Sequence, residues 1–119
     1  MQQPLPSSLV RYTVDGWSMW PSLVHGQTVL VAPRTECAAL GYAWPPEAGA
    51  IVVAHHPFRR GQTIVKRVAV TFADGRFELR GDLPVESEDS GALGPFPLAA
   101  LIGRVVLGVR PADSSAPQS

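Results

Sequence analysis

The sequence predicts one mainly β domain with long loops, on three observations. The chain has 119 residues, which is enough for a single modest hydrophobic core. It contains 11 glycines and 12 prolines, which suit short strands joined by turns better than long helices. Between these turn residues lie runs rich in valine, isoleucine and threonine, the residues that favour strands.

The apolar runs predict six strands, taken in order along the chain. They cover residues 9–14, 27–31, 50–54, 62–72, 76–80 and 103–109. Asp74-Gly75, between the fourth and fifth strands, is a strong hairpin signal. Residues 98–102 fit either one turn of helix or the start of the last strand. Two long irregular segments, residues 32–49 and 81–97, separate the strands.

Charge and cysteine content argue against several classes of protein. Lys plus Arg number 10 and Asp plus Glu number 10, which argues against a general affinity for nucleic acid or anionic membranes. The single cysteine, Cys37, excludes an internal disulfide. His25, His55 and His56 match no zinc-binding spacing. We therefore predict no metal and no cofactor, and structural or surface roles for the histidines.

The sequence shows neither a membrane anchor nor a secretory signal. It has no run of about 18 apolar residues, and residues 1–8 lack the basic and apolar regions of a signal peptide. We therefore expect a cytoplasmic protein without an integral membrane anchor. Residues 1–7 are predicted to be a flexible N-terminus, residues 8–109 the folded domain, and residues 110–119 a disordered tail rich in Pro, Ser and Ala.

Residues 15–23 form a segment suited to presenting one hydroxyl group. Gly16 permits a sharp bend. Pro21 fixes its own φ and keeps Trp20 out of the helical region. Ser18, which lies between them, would be held in a fixed and exposed pose. Taken alone, a Gly-x-Ser segment is more often only a turn between two strands.

Lys66 offers a base for such a serine, whose hydroxyl is a weak nucleophile until its proton is taken. Strand alternation places Lys66 on one face with Ile64, Val68 and Val70, and Arg67 on the other. Burial among apolar groups lowers the pKa of a lysine, by up to about 3–5 units when burial is complete. Such an amine can be neutral near pH 7. Taken alone, a lysine in a strand is more often a solvated edge residue.

Together with a third stretch at residues 81–90, these segments resemble the motifs of the Ser-Lys peptidases of the signal peptidase I and LexA-like superfamily. The matching positions are Ser18, Met19, Pro21, Leu23, Lys66, Arg67, Val68, Gly81, Asp82, Ser87, Asp89 and Ser90. The short form and the His56-Pro57 pair most resemble the nickel-type superoxide dismutase maturation proteases. Four departures from the family pattern weaken a claim to general signal peptidase activity. They are Gln27, Ala50, Leu83 and Gly91.

The resemblance implies a LexA-like and signal-peptidase-like fold, a coiled and partly barrel-like β domain, and a catalytic arrangement. Ser18 would be the nucleophile, with its backbone N–H in the oxyanion hole. Lys66 would be the general base, and Ser87 would orient its amine by a hydrogen bond. A serine that helps the oxyanion hole in some members is replaced here by Gly16, which predicts a slower enzyme or a different donor. Asp82 would hold its loop by bonds from its side chain to the backbone.

The serine segment is also predicted to contact the substrate. The residues concerned are Trp17, Met19, Trp20 and Pro21. For the tryptophans, simple packing is at least as good an explanation.

The sequence therefore predicts a serine endopeptidase that acts on a protein substrate and removes the N-terminal leader of a nickel superoxide dismutase precursor. One alternative is a signal peptidase-like enzyme that processes exported or conjugative proteins. Another is a non-catalytic β module that keeps the motifs as a scaffold. A self-cleaving regulator of the LexA type is disfavoured, because no Ala-Gly or Cys-Gly bond precedes Ser18.

Overall fold

The computed structural model describes residues 8–83 and 93–109, and these residues form a mainly β domain, as predicted. The strands are β1 (Val10–Thr13), β2 (Thr28–Pro33), β3 (Ile51–His55), β4 (Thr63–Thr71), β5 (Phe77–Arg80) and β6 (Leu101–Val109). Each overlaps a predicted strand. A 3-10 turn, Leu98–Ala100, leads directly into β6, so both readings of residues 98–102 are partly correct. The predictions for residues 1–7 and 110–119 lie outside the described residues.

The six strands form one antiparallel sheet in the order β1-β2-β6-β3-β4-β5. The C-terminal strand β6 lies inside the sheet, because it pairs with β2 on one side and β3 on the other. Among the described strands, β1 and β5 are the two edges and do not pair with each other. The sheet is therefore open and not a closed barrel, which is compatible with the predicted partly barrel-like domain.

Two hydrophobic clusters cover the sheet, one on each face. Val52 and Ala54 of β3 belong to the first cluster, whereas Val53 between them belongs to the second. Successive side chains of a strand point to opposite faces, so the two clusters lie on opposite sides of β3. The predicted burial of this continuous apolar run is confirmed, since all three side chains have no exposed surface.

A β-bulge interrupts the alternation of β4. Val68 lies opposite Leu79, but Val70 lies opposite Glu78, so the register shifts by one residue between them. The extra residue turns Val70 to the face opposite that of Val68, and Val70 is 40% exposed. The prediction that Val70 shares a face with Lys66 is therefore wrong.

Candidate active site

The serine segment is a compact turn anchored in the second cluster. Its backbone is closed by hydrogen bonds from Trp20 N–H to Trp17 O at 3.0 Å and from Leu23 N–H to Met19 O at 2.8 Å. The side chains of Met19 and Leu23 are buried in the second cluster. Gly16 has a φ of +93°, a conformation that side chains other than glycine rarely adopt. The predicted sharp bend at Gly16 is confirmed.

A cleft of about 370 Å³ lies beside this turn. Its walls are residues 12–18, from β1 and the serine turn, and residues 62–66, from the start of β4. The structure therefore brings Ser18 and Lys66 to the same cleft. The two residues are 48 positions apart, and this spacing alone does not predict that they come together. Their catalytic roles remain predictions.

The cleft separates two edges of the open sheet. β4 pairs with β3 from Thr63 to Arg67, but with β5 only from Arg67 onward. Among the described strands, none pairs with residues 63–65 on the cleft side, and none pairs with the outer edge of β1. Edges of this kind present backbone donors and acceptors to an added strand. The cleft therefore has the geometry to hold an extended peptide.

Lys66 is a buried residue of this cleft, with 5% of its surface exposed. It lies directly opposite Val52, which belongs to the first cluster, and its strand neighbours Ile64 and Val68 belong to or pack against the same cluster. The prediction of an apolar setting for Lys66 is confirmed for these neighbours. Such surroundings disfavour the charged form of an amine.

The other predicted site residues lie in different places. Trp17 lines the cleft and is 48% exposed. Trp20 and Pro21 are exposed but are not among the cleft residues. Met19 is only 1% exposed and packs in the second cluster, so its side chain offers almost no surface to a substrate. Ser87 lies outside the described residues.

A polar network ties the serine turn to β4 and to the third motif. Arg67 donates to both carboxylate oxygens of Asp82, at 2.9 and 2.7 Å, and to Gly49 O at 2.8 Å. Ser22 Oγ donates to the same carboxylate at 2.6 Å. Leu83 N–H donates to Ser18 O at 2.7 Å, which fixes the carbonyl group of Ser18.

The network also sets the charge states of its members. The hydrogen bonds from Arg67 hold the pKa of Asp82 below its usual value, and Ser22 adds to the effect. The bond to Asp82 in turn raises the pKa of Arg67. Asp82 has the predicted structural role, but its bonds run to side chains and not to the backbone. The network joins positions that are at least 15 residues apart, so local sequence patterns could not indicate it.

Two of the three histidines, His56 and His25, support the local backbone. His56 is buried, and its Nδ1 accepts a hydrogen bond from Phe58 N–H at 3.0 Å in the turn between β3 and β4. His25 Nδ1 accepts one from Gly16 N–H at 2.8 Å. Within residues 8–83 and 93–109, no three His, Cys, Asp or Glu side chains come together in a way that could hold a metal ion.

No helix in the described part of the chain is long and apolar enough to cross a membrane.

A comparison with curated proteins finds no match. A comparison with family models finds one, to the family described as signal peptidase, peptidase S26, over residues 7–74. That range contains the serine turn and Lys66, and it ends before the third motif. It covers more than half of the 119 residues. The chain therefore belongs to the signal peptidase family, peptidase S26.

Proposed function

We propose that this protein is a serine endopeptidase in which Ser18 is the nucleophile and Lys66 the general base. The observation that carries the proposal is that both residues line one cleft, with the lysine buried among aliphatic side chains. Membership of a signal peptidase-like family supports a peptidase. The residues outside the matched range contribute Ser87, whose proposed role is to orient the lysine amine.

In each acyl transfer of the proposed reaction, a proton moves first from the nucleophile to Lys66 and then from Lys66 to the leaving group. The neutral amine of Lys66 takes the proton of the Ser18 hydroxyl as the oxygen attacks the scissile carbonyl carbon. The backbone N–H of Ser18 stabilises the negative oxygen that develops, an interaction worth about 2.7–4 kcal/mol for one donor. The lysine ammonium then protonates the leaving amine. Water repeats the sequence on the acyl-enzyme, which releases the acid and restores Ser18.

The two open edges define how the substrate would bind. An extended peptide can lie between β1 and residues 63–65 of β4 and form backbone hydrogen bonds with either edge. Trp17, half-exposed at the Ser18 end of the cleft, would contact side chains near the scissile bond. Met19 would act indirectly, by anchoring the serine turn in the second cluster.

For the substrate itself we propose the precursor of a nickel superoxide dismutase, whose leader would be removed in the cytoplasm before nickel binds. This rests on the resemblance of the His56-Pro57 pair to that group of proteases. The contact of His56 with Phe58 N–H supports a role for this pair in shaping the β3–β4 turn. The alternative substrate class is exported or conjugative proteins with a leader.

The deciding experiment incubates the protein with a nickel superoxide dismutase precursor and, in parallel, with an exported precursor, and sequences the new N-terminus of each product. Cleavage should disappear in Ser18→Ala. It should also disappear in Lys66→Arg, because a guanidinium keeps its proton at any usable pH. Ser8→Ala is the matched control. Cleavage of the exported precursor alone would reject the nickel enzyme as substrate, and cleavage that survives Ser18→Ala would reject the mechanism.

The chain offers an independent test of the base. Lys66 is the only lysine in the sequence, so ¹³C reductive methylation labels this side chain and the N-terminal amine alone. The NMR titration of its methyl signals should coincide with one acid-side step of the pH–rate profile, since protonated Lys66 cannot accept the serine proton. A profile in which no step follows this titration would remove Lys66 from the role of base.

A further inference from the structure

His25 contacts three consecutive residues, Asp15, Gly16 and Trp17, which directly precede Ser18. Its Nδ1 accepts a hydrogen bond from Gly16 N–H at 2.8 Å. Its ring lies against the Trp17 ring, with centroids 5.8 Å apart and an angle of 32° between the planes. Asp15 Oδ1 is 3.8 Å from the same Nδ1. His25 therefore contacts the segment of chain that leads into Ser18.

The bond to Gly16 depends on the charge state of the ring. A neutral imidazole has one nitrogen that accepts and one that donates, so an accepting Nδ1 requires the proton on Nε2. The imidazolium carries a proton on both nitrogens and accepts no hydrogen bond. Protonation of His25 therefore removes the acceptor of Gly16 N–H.

A competing partner is already in place. Among the described residues, the acidic group that pairs with the ring within 4 Å is the carboxylate of Asp15, whose side chain is 90% exposed. Trp17, whose ring also lies near His25, carries no charge. Once Nδ1 carries a proton it would donate a hydrogen bond to Asp15 and no longer accept one from Gly16 N–H, because a charged donor favours a carboxylate acceptor. The same ring atom thus has one partner for each charge state.

We propose that neutral His25 is a positioning residue that holds the Gly16 peptide, and through it Ser18, in the pose needed for attack. The proposal rests on the proposed peptidase function. Gly16 has a φ of +93°, and because glycine reaches many backbone conformations without strain, the pose of its peptide is fixed only where surrounding contacts support it. The hydrogen bond from Gly16 N–H supplies such support two residues before the nucleophile. Protonation of His25 releases the turn and lowers the rate.

Two variants separate the contacts of His25. His25→Phe keeps an aromatic ring beside Trp17 but has no acceptor. His25→Asn has an acceptor oxygen near the position of Nδ1 and does not titrate. We expect His25→Phe to lower kcat about twofold to fivefold at pH 7.5 with little change in KM. This lies at the lower end for one neutral hydrogen bond, because the His25 side chain is 51% exposed and water can replace it.

His25→Asn should retain more of the parent's kcat than His25→Phe, and its pH–rate profile should lose one of the two acid-side titrations and keep that of Lys66. His55→Asn, which changes an exposed histidine at the end of β3, is the matched control and should keep both. Equal kcat in the parent and in His25→Phe, or an unchanged acid limb in His25→Asn, would overturn the proposal.

A readout without catalysis distinguishes failure of this proposal from failure of the peptidase assignment. In ¹⁵N-labelled Ser18→Ala protein, the Gly16 amide signal should shift with the titration of His25, and His25→Phe should abolish that shift. A Gly16 signal that ignores the histidine overturns the positioning role and leaves the Ser18 and Lys66 tests untouched. A titrating Gly16 amide in a parent that cleaves no precursor would instead reject the peptidase function and, with it, the role in positioning a nucleophile.

Discussion

Removal of the Asp82 carboxylate should loosen the serine turn and destabilise the fold. Asp82 accepts three hydrogen bonds, two from Arg67 and one from Ser22, and its side chain is 19% exposed. A hydrogen bond to a charged group contributes about 1.5–3 kcal/mol, and an exposed ion pair about 0–1 kcal/mol. The 35% exposure of Arg67 places this pair between the two cases. We therefore expect Asp82→Ala to lower the free energy of unfolding by about 2 kcal/mol.

The measurement is urea unfolding at pH 7, with thermal unfolding as a second probe. The ion pair of Arg104 with Glu47 provides a matched control, because Arg104 also donates two hydrogen bonds to one carboxylate, at 2.7 and 2.8 Å. Glu47 is 56% exposed, so Glu47→Ala should lower the free energy of unfolding by at most about 1 kcal/mol. Equal effects of the two substitutions would refute the reasoning from burial.

The stability that Asp82 contributes should depend on pH in a predictable direction. Arg67 lowers the pKa of folded Asp82, so the folded state favours the ionised carboxylate. Its contribution is fully present above the pKa of an unfolded aspartate, about 3.9, and is lost as the pH falls through the lower folded value. The difference between the parent and Asp82→Asn should be constant from about pH 5 to pH 8 and should shrink below about pH 4. A difference that grows in acid would contradict the assigned ion pair.

Three further predictions concern the turn and its surroundings. Gly16→Ala should lower the free energy of unfolding, measured with urea, by about 1–3 kcal/mol, because an alanine is strained at a φ of +93°. The added Cβ would meet no atom within 4 Å, so the strain is in the backbone alone. Met19→Ala should lower it by about 2–5 kcal/mol, whereas Trp20→Ala, at 47% exposure, should have a much smaller effect in the same assay. Ser87→Ala should slow cleavage by about 10 to 1000-fold without abolishing it, with the loss seen in kcat; unchanged kinetics at every pH would leave Ser87 without its orienting role.

The strands were predictable because their signals are local. Runs such as residues 50–54 are apolar throughout and are bounded by turn residues, so their approximate extent and their burial can be predicted from the local sequence. The register was not predictable in full. The bulge between Val68 and Val70 leaves no mark in a sequence of small and β-branched residues, and one extra residue is enough to reverse the face of Val70.

The sequence indicates candidate residues of the site but not the contacts that support them. Ser18 and Lys66 stand in motifs whose residue types indicate the reaction. Met19 was predicted to contact the substrate, because a turn has no periodicity that distinguishes a buried side chain from an exposed one. The structure places it in the second cluster instead. The partners of Arg67 and His25 are set by the tertiary fold, which no spacing in the sequence indicates.

The order Lys66-Arg67 follows from two different chemical requirements on one strand. Successive side chains of a strand point to opposite faces, so these two neighbouring basic residues have different surroundings. Arg67 binds one carboxylate through Nε and Nη2 and a backbone carbonyl through Nη1, whereas a lysine amine has all its donors on a single nitrogen. Lys66 is buried at the cleft, where the proposed base must be able to lose its proton, which a guanidinium cannot do. Exchange of the two residues would therefore leave a permanent charge at the cleft and a single donor head in the network, although the composition and net charge of the chain would be the same.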